Sequence, residues 1–208
     1  MLGCSSRAAD RISARKRLTI ESDTFVELEK FIGKILDQIP EEKRVSMTIT
    51  GFLKEVGARL NDKESILYNA SRKNVPIFSP SFLDSMLGIT LWMYAKEKKL
   101  SFRPLKDFDL LADMVYNAKK SGAIILGGGV PKHHTQYMQT LRDGLDSAIQ
   151  ISSARVEDGC LSGAPLKESI TWGKLKGENL QEKTSTIFGD VTIIFPIIVA
   201  AAFEKINS

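Results

Sequence analysis

Ser121-Gly-Ala-Ile-Ile-Leu-Gly-Gly-Gly-Val-Pro-Lys-His-His134 is the stretch on which the reading of the fold turns. Ala123 to Leu126 form a short apolar run of the length of a buried strand. Three glycines follow where the chain must turn, and Pro131 stands where a helix accepts proline at its start. A strand that passes through a glycine turn straight into a helix is the first half of a parallel crossover unit, so a parallel sheet is expected around it.

Working outward, short apolar runs alternate with longer amphipathic segments. Val75 to Phe78, Leu100 to Phe102, Ser147 to Ile151 and Ser185 to Phe188 read as further strands. Ser81 to Lys98, Lys106 to Lys120, Pro131 to Arg142 and Val191 to Ile206 read as helices. Upstream, Phe25, Leu28, Phe31, Ile32, Ile35 and Leu36 recur at helical spacing over Asp23 to Gln38, and Met47 to Leu60 and Lys63 to Arg72 also read as helices. The expected architecture is α/β: a Rossmann-like parallel sheet with helices on both faces, preceded by a helical segment.

Composition sets the outer bounds. A chain of 208 residues, 43% hydrophobic and 26% charged, is ordinary for one domain with a sizeable core. Residues 21–208 are taken as that domain, and residues 1–20, with Arg7, Arg11, Arg15, Lys16 and Arg17, as a basic tail without ordered structure. The tail has no apolar run of the kind a secretory signal needs. Cys4 and Cys160 fit neither a zinc pattern nor a disulfide framework, so a reducing, cytoplasmic setting is expected. Val191 to Phe203 is too short to cross a bilayer and contains Pro196, which makes it a buried helix in this reading. Neither nucleic acid nor membrane is expected as a partner.

Ligands of open parallel sheets bind beyond the carboxyl ends of the strands. Asp84, Gly127 to His133, Ser152 to Gly159 and Asp190 each follow an expected strand, so they are expected to meet at one rim.

Four ordered blocks carry a more specific message: GGGVPKHH at 127–134, EDG at 157–159, SGAP at 162–165 and ESITWGK at 168–174. Together with Asn74 to Asp84 and Thr186 to Pro196, they resemble the deoxyhypusine synthase family over roughly residues 20–205. That family uses NAD to oxidise spermidine, carries the aminobutyl fragment on a lysine as an imine, and delivers it to a lysine of translation initiation factor 5A. The resemblance implies NAD as cofactor, spermidine and that factor as partners, and a homo-oligomer, a tetramer in the family, with sites at subunit interfaces. Family members are longer at the amino end, and the early loops that hold part of the NAD have no counterpart here. The chain therefore looks like the carboxy-terminal part of such an enzyme.

The resemblance assigns roles residue by residue. Lys174 in the WGK motif is the expected imine carrier; its amine must lose a proton to attack, which requires desolvation or nearby positive charge. Glu168 and Trp172, four residues apart and so on one face if helical, are expected to bind the amine through a carboxylate and an aromatic face. His133 is expected at the polyamine or as a proton relay, with His134 free to face the core. Gly128 and Gly159 complete the expected substrate contacts. Asp84, Ser153, Ala154, Asp158, Asp190 and Val191 match positions that hold NAD. The triple glycine alone is not a full dinucleotide fingerprint, and adjacent histidines point in different directions without completing a metal ligand set, so no metal is expected.

Three departures bear on the amine. Ile89 and Leu161 stand where eukaryotic members have aspartates, and Tyr137 stands where an asparagine is expected. Net charge of +4 gives a polycation no long-range attraction, so recognition must be local. Two alternatives stay open at this point: a homospermidine synthase-like enzyme with a small amine acceptor, and a non-catalytic or split subunit that needs a complementing polypeptide.

Overall fold

The computed structural model describes residues 22–177 and 183–208; the basic segment 1–20 and Cys4 lie outside the described residues. The chain opens with a helical layer: α1 (Ser22–Asp37), the single turn α2 (Glu41–Arg44), α3 (Ile49–Arg59), α4 (Ile66–Arg72), α5 (Met86–Glu97) and α6 (Leu105–Asn117). Side chains fix several of their starts. The Thr48, Ser65 and Ser85 hydroxyls each accept an amide hydrogen three residues on. Asp107 reaches back from α6 and accepts from the Ile49 and Thr50 amides at 2.9 and 3.1 Å, which welds the start of α3 to α6.

This layer has its own core. Ile32, Leu36, Phe52, Val56, Phe82 and Leu91 are buried together, and the rings of Phe52, Phe82 and Phe102 meet edge-on or tilted. The helical reading of the upstream segment holds. The two strands expected before the sheet do not form. Val75 to Phe78 is irregular chain, and Leu100 to Phe102 contributes one isolated bridge, Phe102 to Met47. Pro76 lacks an N–H for a ladder, and no strand among the described residues lies beside this segment.

The sheet is β1 (Gly122–Leu126), β2 (Ser147–Ser152) and β3 (Thr184–Phe188), parallel throughout and in chain order. β1 leads through the glycine turn into α7 (Val130–Met138), which a 3₁₀ turn over Gln139–Arg142 extends. The short α8 (Glu168–Thr171) follows β2, and α9 (Val191–Asn207) closes the chain behind β3. Ile125 and Ala148 pack with Leu145, Leu166 and Leu175 as a second core. Register puts Ile124 and Leu126 on the opposite face, where both are exposed.

The last helix departs from expectation. It packs against β2, yet none of its residues is buried, and Ile193, Ile197, Phe203 and Ile206 are 64–80% exposed. Its sequence is apolar all round, which foretells a covered helix but does not supply the cover. Among the described residues no helix is long and apolar enough to cross a membrane.

Candidate functional site

The WGK motif is a helix ending. Trp172 caps α8, Gly173 takes the left-handed conformation at φ 65°, its amide donates to Ile170 O at 2.9 Å, and the Lys174 amide donates to Ser169 O at 2.9 Å. This pair of bonds satisfies the last carbonyls of the turn and requires a residue that tolerates positive φ between tryptophan and lysine. On the far side, the Lys174 carbonyl accepts from the Leu145 amide and the Lys176 amide donates to Leu145 O, so the segment runs as a one-residue bridge beside the entry to β2.

Lys174 is half-buried, and its Nζ lies 5.8 Å from the ring centre of Trp172, which is itself exposed. Glu168 opens the same turn and is exposed. A carboxylate, an indole face and a primary amine thus come from seven consecutive residues, which are the groups needed to hold an ammonium and to attack a carbon.

His133 is exposed on α7, and its ring stacks on Tyr137 one turn later at 5.6 Å with 12° between planes. The departure at Tyr137 therefore fixes the plane of this imidazole. His134 turns the other way: it is half-buried, meets the Phe108 ring edge-on at 5.5 Å, and burial pushes its pKa below the usual histidine value. Ile89 and Leu161 are both exposed.

At the carboxyl ends of β2 and β3 lies a cavity of about 400 Å³. Gln150, Ser152, Ala154, Arg155, Ser162 and Phe188 are among its walls, with the Arg155 guanidinium 5.5 Å from the centre of the Phe188 ring. Of the residues expected to hold the cofactor, Ala154 lines it, and its amide donates to Ser152 Oγ. Ser153 beside it is exposed. Asp158 is tied into its own turn by accepting from the Arg155 amide at 2.8 Å, and Gly159 closes that turn at φ 61°. Asp190 caps α9 by accepting from the Thr192 amide at 2.7 Å, and the Thr192 hydroxyl, followed by that amide, holds its carboxyl below the usual range; Val191 is the first residue of that helix.

Asp84 does not join them. Because Val75 to Phe78 is not a strand, the loop carrying Asp84 is not part of the sheet rim. It lines a second cavity of about 470 Å³, with Phe82, Phe102, Phe108 and His134. The rim is thus built from the segments after β1, β2 and β3, whereas the backbone at Lys174 is bridged to Leu145 at the entry to β2, the other end of that strand.

A phosphate-bearing cofactor fits what surrounds the glycine turn. Gly127 and Gly129 have φ of 83° and 75°, and a Cβ on either would meet nothing within 4 Å, so the backbone before α7 is bare and open to close approach. The cavity beside it is of the size that takes a ligand or a portion of a large one. Gly128 differs from its neighbours, since a Cβ there would lie 2.4 Å from Ser162 Cα. The glycine turn and the SGAP loop therefore approach each other closely at the backbone.

Comparison with known proteins decides the family. Residues 6–202 match the deoxyhypusine synthase family. A protein named "Probable deoxyhypusine synthase" from Methanothermobacter thermautotrophicus is 43% identical over 161 residues, covering 77% of this chain and 51% of the relative. The chain belongs to the deoxyhypusine synthase family.

A relative of the same name from Halobacterium salinarum is 36% identical over 188 residues, covering 89% of this chain and 57% of its own. The fold agrees with the crystal structure of an Entamoeba histolytica protein assigned as a deoxyhypusine synthase, at TM-score 0.60 and 24% identity over 86% of this chain and 54% of that one. The chain spans about half the length of the family members it matches.

Sequence reading missed two polar groups near the deoxyhypusine synthase motifs. Lys132 and Gln150 are buried, and both donate to carbonyls of the loop around SGAP. A glutamine in the middle of Ala148-Ile-Gln-Ile151 was the available signal, since a polar side chain inside a buried strand must find partners.

Proposed function

We propose that this chain takes part in NAD-dependent transfer of the 4-aminobutyl group of spermidine to an acceptor amine, with a lysine of translation initiation factor 5A as the acceptor, and that Lys174 carries the fragment as an imine. The observation that carries the reading is the α8 ending, which offers the Lys174 amine beside the Trp172 ring on the same turn as Glu168.

The chemistry asks four things of these residues. Glu168 pairs with an ammonium of the polyamine, and the Trp172 face takes a second cationic group. His133, its plane set by Tyr137, accepts or returns a proton at the amine. Lys174 gives up its proton and its amine bonds to the substrate carbon, releasing the three-carbon diamine; the acceptor amine later displaces Lys174 in the same manner. NAD, when bound, supplies the oxidation that makes this carbon electrophilic and the reduction that completes transfer. Ser153, Ala154, Asp158, Asp190 and Val191 would hold it around the bare backbone of Gly127 to Gly129, with Gly128 and Gly159 toward the substrate; Asp84, in the second cavity, stands apart from this set.

A homospermidine-forming reaction uses the same donor half and differs in the acceptor alone. Incubation with spermidine, NAD and either the factor or a small diamine separates the two by product. A further part of the reading, a required second subunit, is favoured by the uncovered apolar α9 and the exposed Ile124 and Leu126. That subunit is another copy in a homo-oligomer or a complementing polypeptide.

A further inference from the structure

Lys132, the residue before His133, is 3% exposed. Its ammonium donates to Ala164 O at 2.6 Å and to Leu161 O at 3.1 Å, and among the described residues no carboxylate stands within ion-pair distance of it. Gln150 holds the same loop from below, donating to Ser162 O at 2.9 Å and to Gly127 O at 3.2 Å. A Cβ on Gly163 would lie 2.0 Å from Arg155 O, so the loop is also pressed against the segment after β2. Three carbonyls within four residues are thus claimed by two buried side chains.

A buried ammonium with carbonyl partners alone is a poor device for stability, because desolvation penalises the charge and an apolar side chain of the same length would fill the space. Burial pushes its pKa down, the carboxylate of Glu168 and the Cys160 thiol act in the opposite sense, and the positive charge of Lys174 adds to the lowering. Lys132 therefore shares one electrostatic neighbourhood with both ends of the α8 turn.

We propose that Lys132 is a positioning residue for the amine site: by clamping the carbonyls of Leu161 and Ala164 it sets where the chain enters α8, and so where Glu168 and Lys174 are presented. The catalytic part of this inference rests on Lys174 as the imine carrier; the clamp itself does not.

The test compares the full chain with Lys132→Met, which keeps the stem and removes the donor. Two measurements are made: hydrogen exchange by mass spectrometry, and borohydride trapping on Lys174 with spermidine and NAD. The expected result is a melting temperature that is unchanged or higher, exchange at least about tenfold faster in 161–174 with β1 and β2 unaffected, and trapping about 10- to 100-fold slower at saturating spermidine. The spermidine concentration for half-maximal trapping should move less than the rate. Unchanged exchange in 161–174 overturns the clamp. Loosened exchange with an unchanged trapping rate overturns the positioning role. A lower melting temperature with faster exchange throughout the domain marks a structural lysine and also overturns it. If the unsubstituted chain is not trapped, the transfer reading fails while exchange still decides the clamp. Should Lys132→Met not fold, Lys132→Gln, a shorter neutral donor, is read in the same way.

Discussion

The carbonyl of Lys174 accepts a hydrogen bond from the Leu145 amide at 3.0 Å, which pins the backbone of the family's motif lysine to the entry of β2. Gly144 makes this approach possible. It sits at φ 93°, and a Cβ there would lie 2.7 Å from Leu175 N and 2.8 Å from Lys174 C. The lysine side chain is long and flexible, but its root is fixed.

Gly144→Ala should therefore destabilise the fold by about 2–3 kcal/mol, through positive-φ strain and a backbone clash that no rotamer relieves. Chemical denaturation measures the loss. Trapping at Lys174 should fall by more than the folded fraction does, because the bridge to Leu145 must open.

Gly128→Ala tests contact between the glycine turn and the SGAP loop. The added methyl meets Ser162 backbone at 2.4 Å, so one loop must retreat. The expected loss is about 1–3 kcal/mol, with faster hydrogen exchange in both loops. Gly127→Ala should be milder in packing, since nothing lies within 4 Å of its Cβ, and should pay mainly the positive-φ strain.

Asp146 gives a pH signature. It accepts from the Ser121 amide at 2.8 Å and pairs with Lys176 and Arg142 at 2.8 and 3.1 Å, and these partners, Lys176 first, hold its carboxyl well below the usual value of 3.8. A depressed folded pKa means the contribution is complete above the unfolded value and disappears as pH falls through the folded one. Asp146→Asn should cost about 1–3 kcal/mol at pH 7, and the gap should begin to close below about pH 4 in denaturation curves taken across pH.

Most of the sheet was legible in the sequence. β1 and α7 announce themselves because a strand, three glycines and a proline occur in the order a crossover needs, and β2 and β3 have apolar runs of strand length. Val75 to Phe78 has the same run but not the neighbour; local apolarity does not show whether a pairing partner exists. The WGK turn was legible as a motif, while its root on Leu145 was not, since that bridge spans a long separation in the chain. Lys132 was illegible for the same reason. Its acceptors lie 29 and 32 residues downstream, and a lysine beside two histidines looks like a surface residue. For α9 the sequence overstated burial, because an all-apolar helix asks for a cover that the described residues do not bring.

That uncovered helix predicts association. Ile193 and Ile197 are one turn apart and each is 65% exposed, with Phe203 and Ile206 further along. Sedimentation at low micromolar concentration should show dimers or larger species, and Ile193→Glu with Ile197→Lys should shift them toward monomer without loss of cooperative unfolding. A chain that is monomeric before substitution would remove the need for a second subunit.

The most direct test of the whole account is peptide mapping after borohydride treatment in the presence of spermidine and NAD, for the chain assembled with its second subunit and for the same assembly carrying Lys174→Arg. The substitution keeps the positive charge but cannot form the imine. The account predicts one four-carbon aminobutyl adduct per chain, on Lys174, and none in the variant. An adduct on another lysine, or equal labelling of the variant, would contradict it.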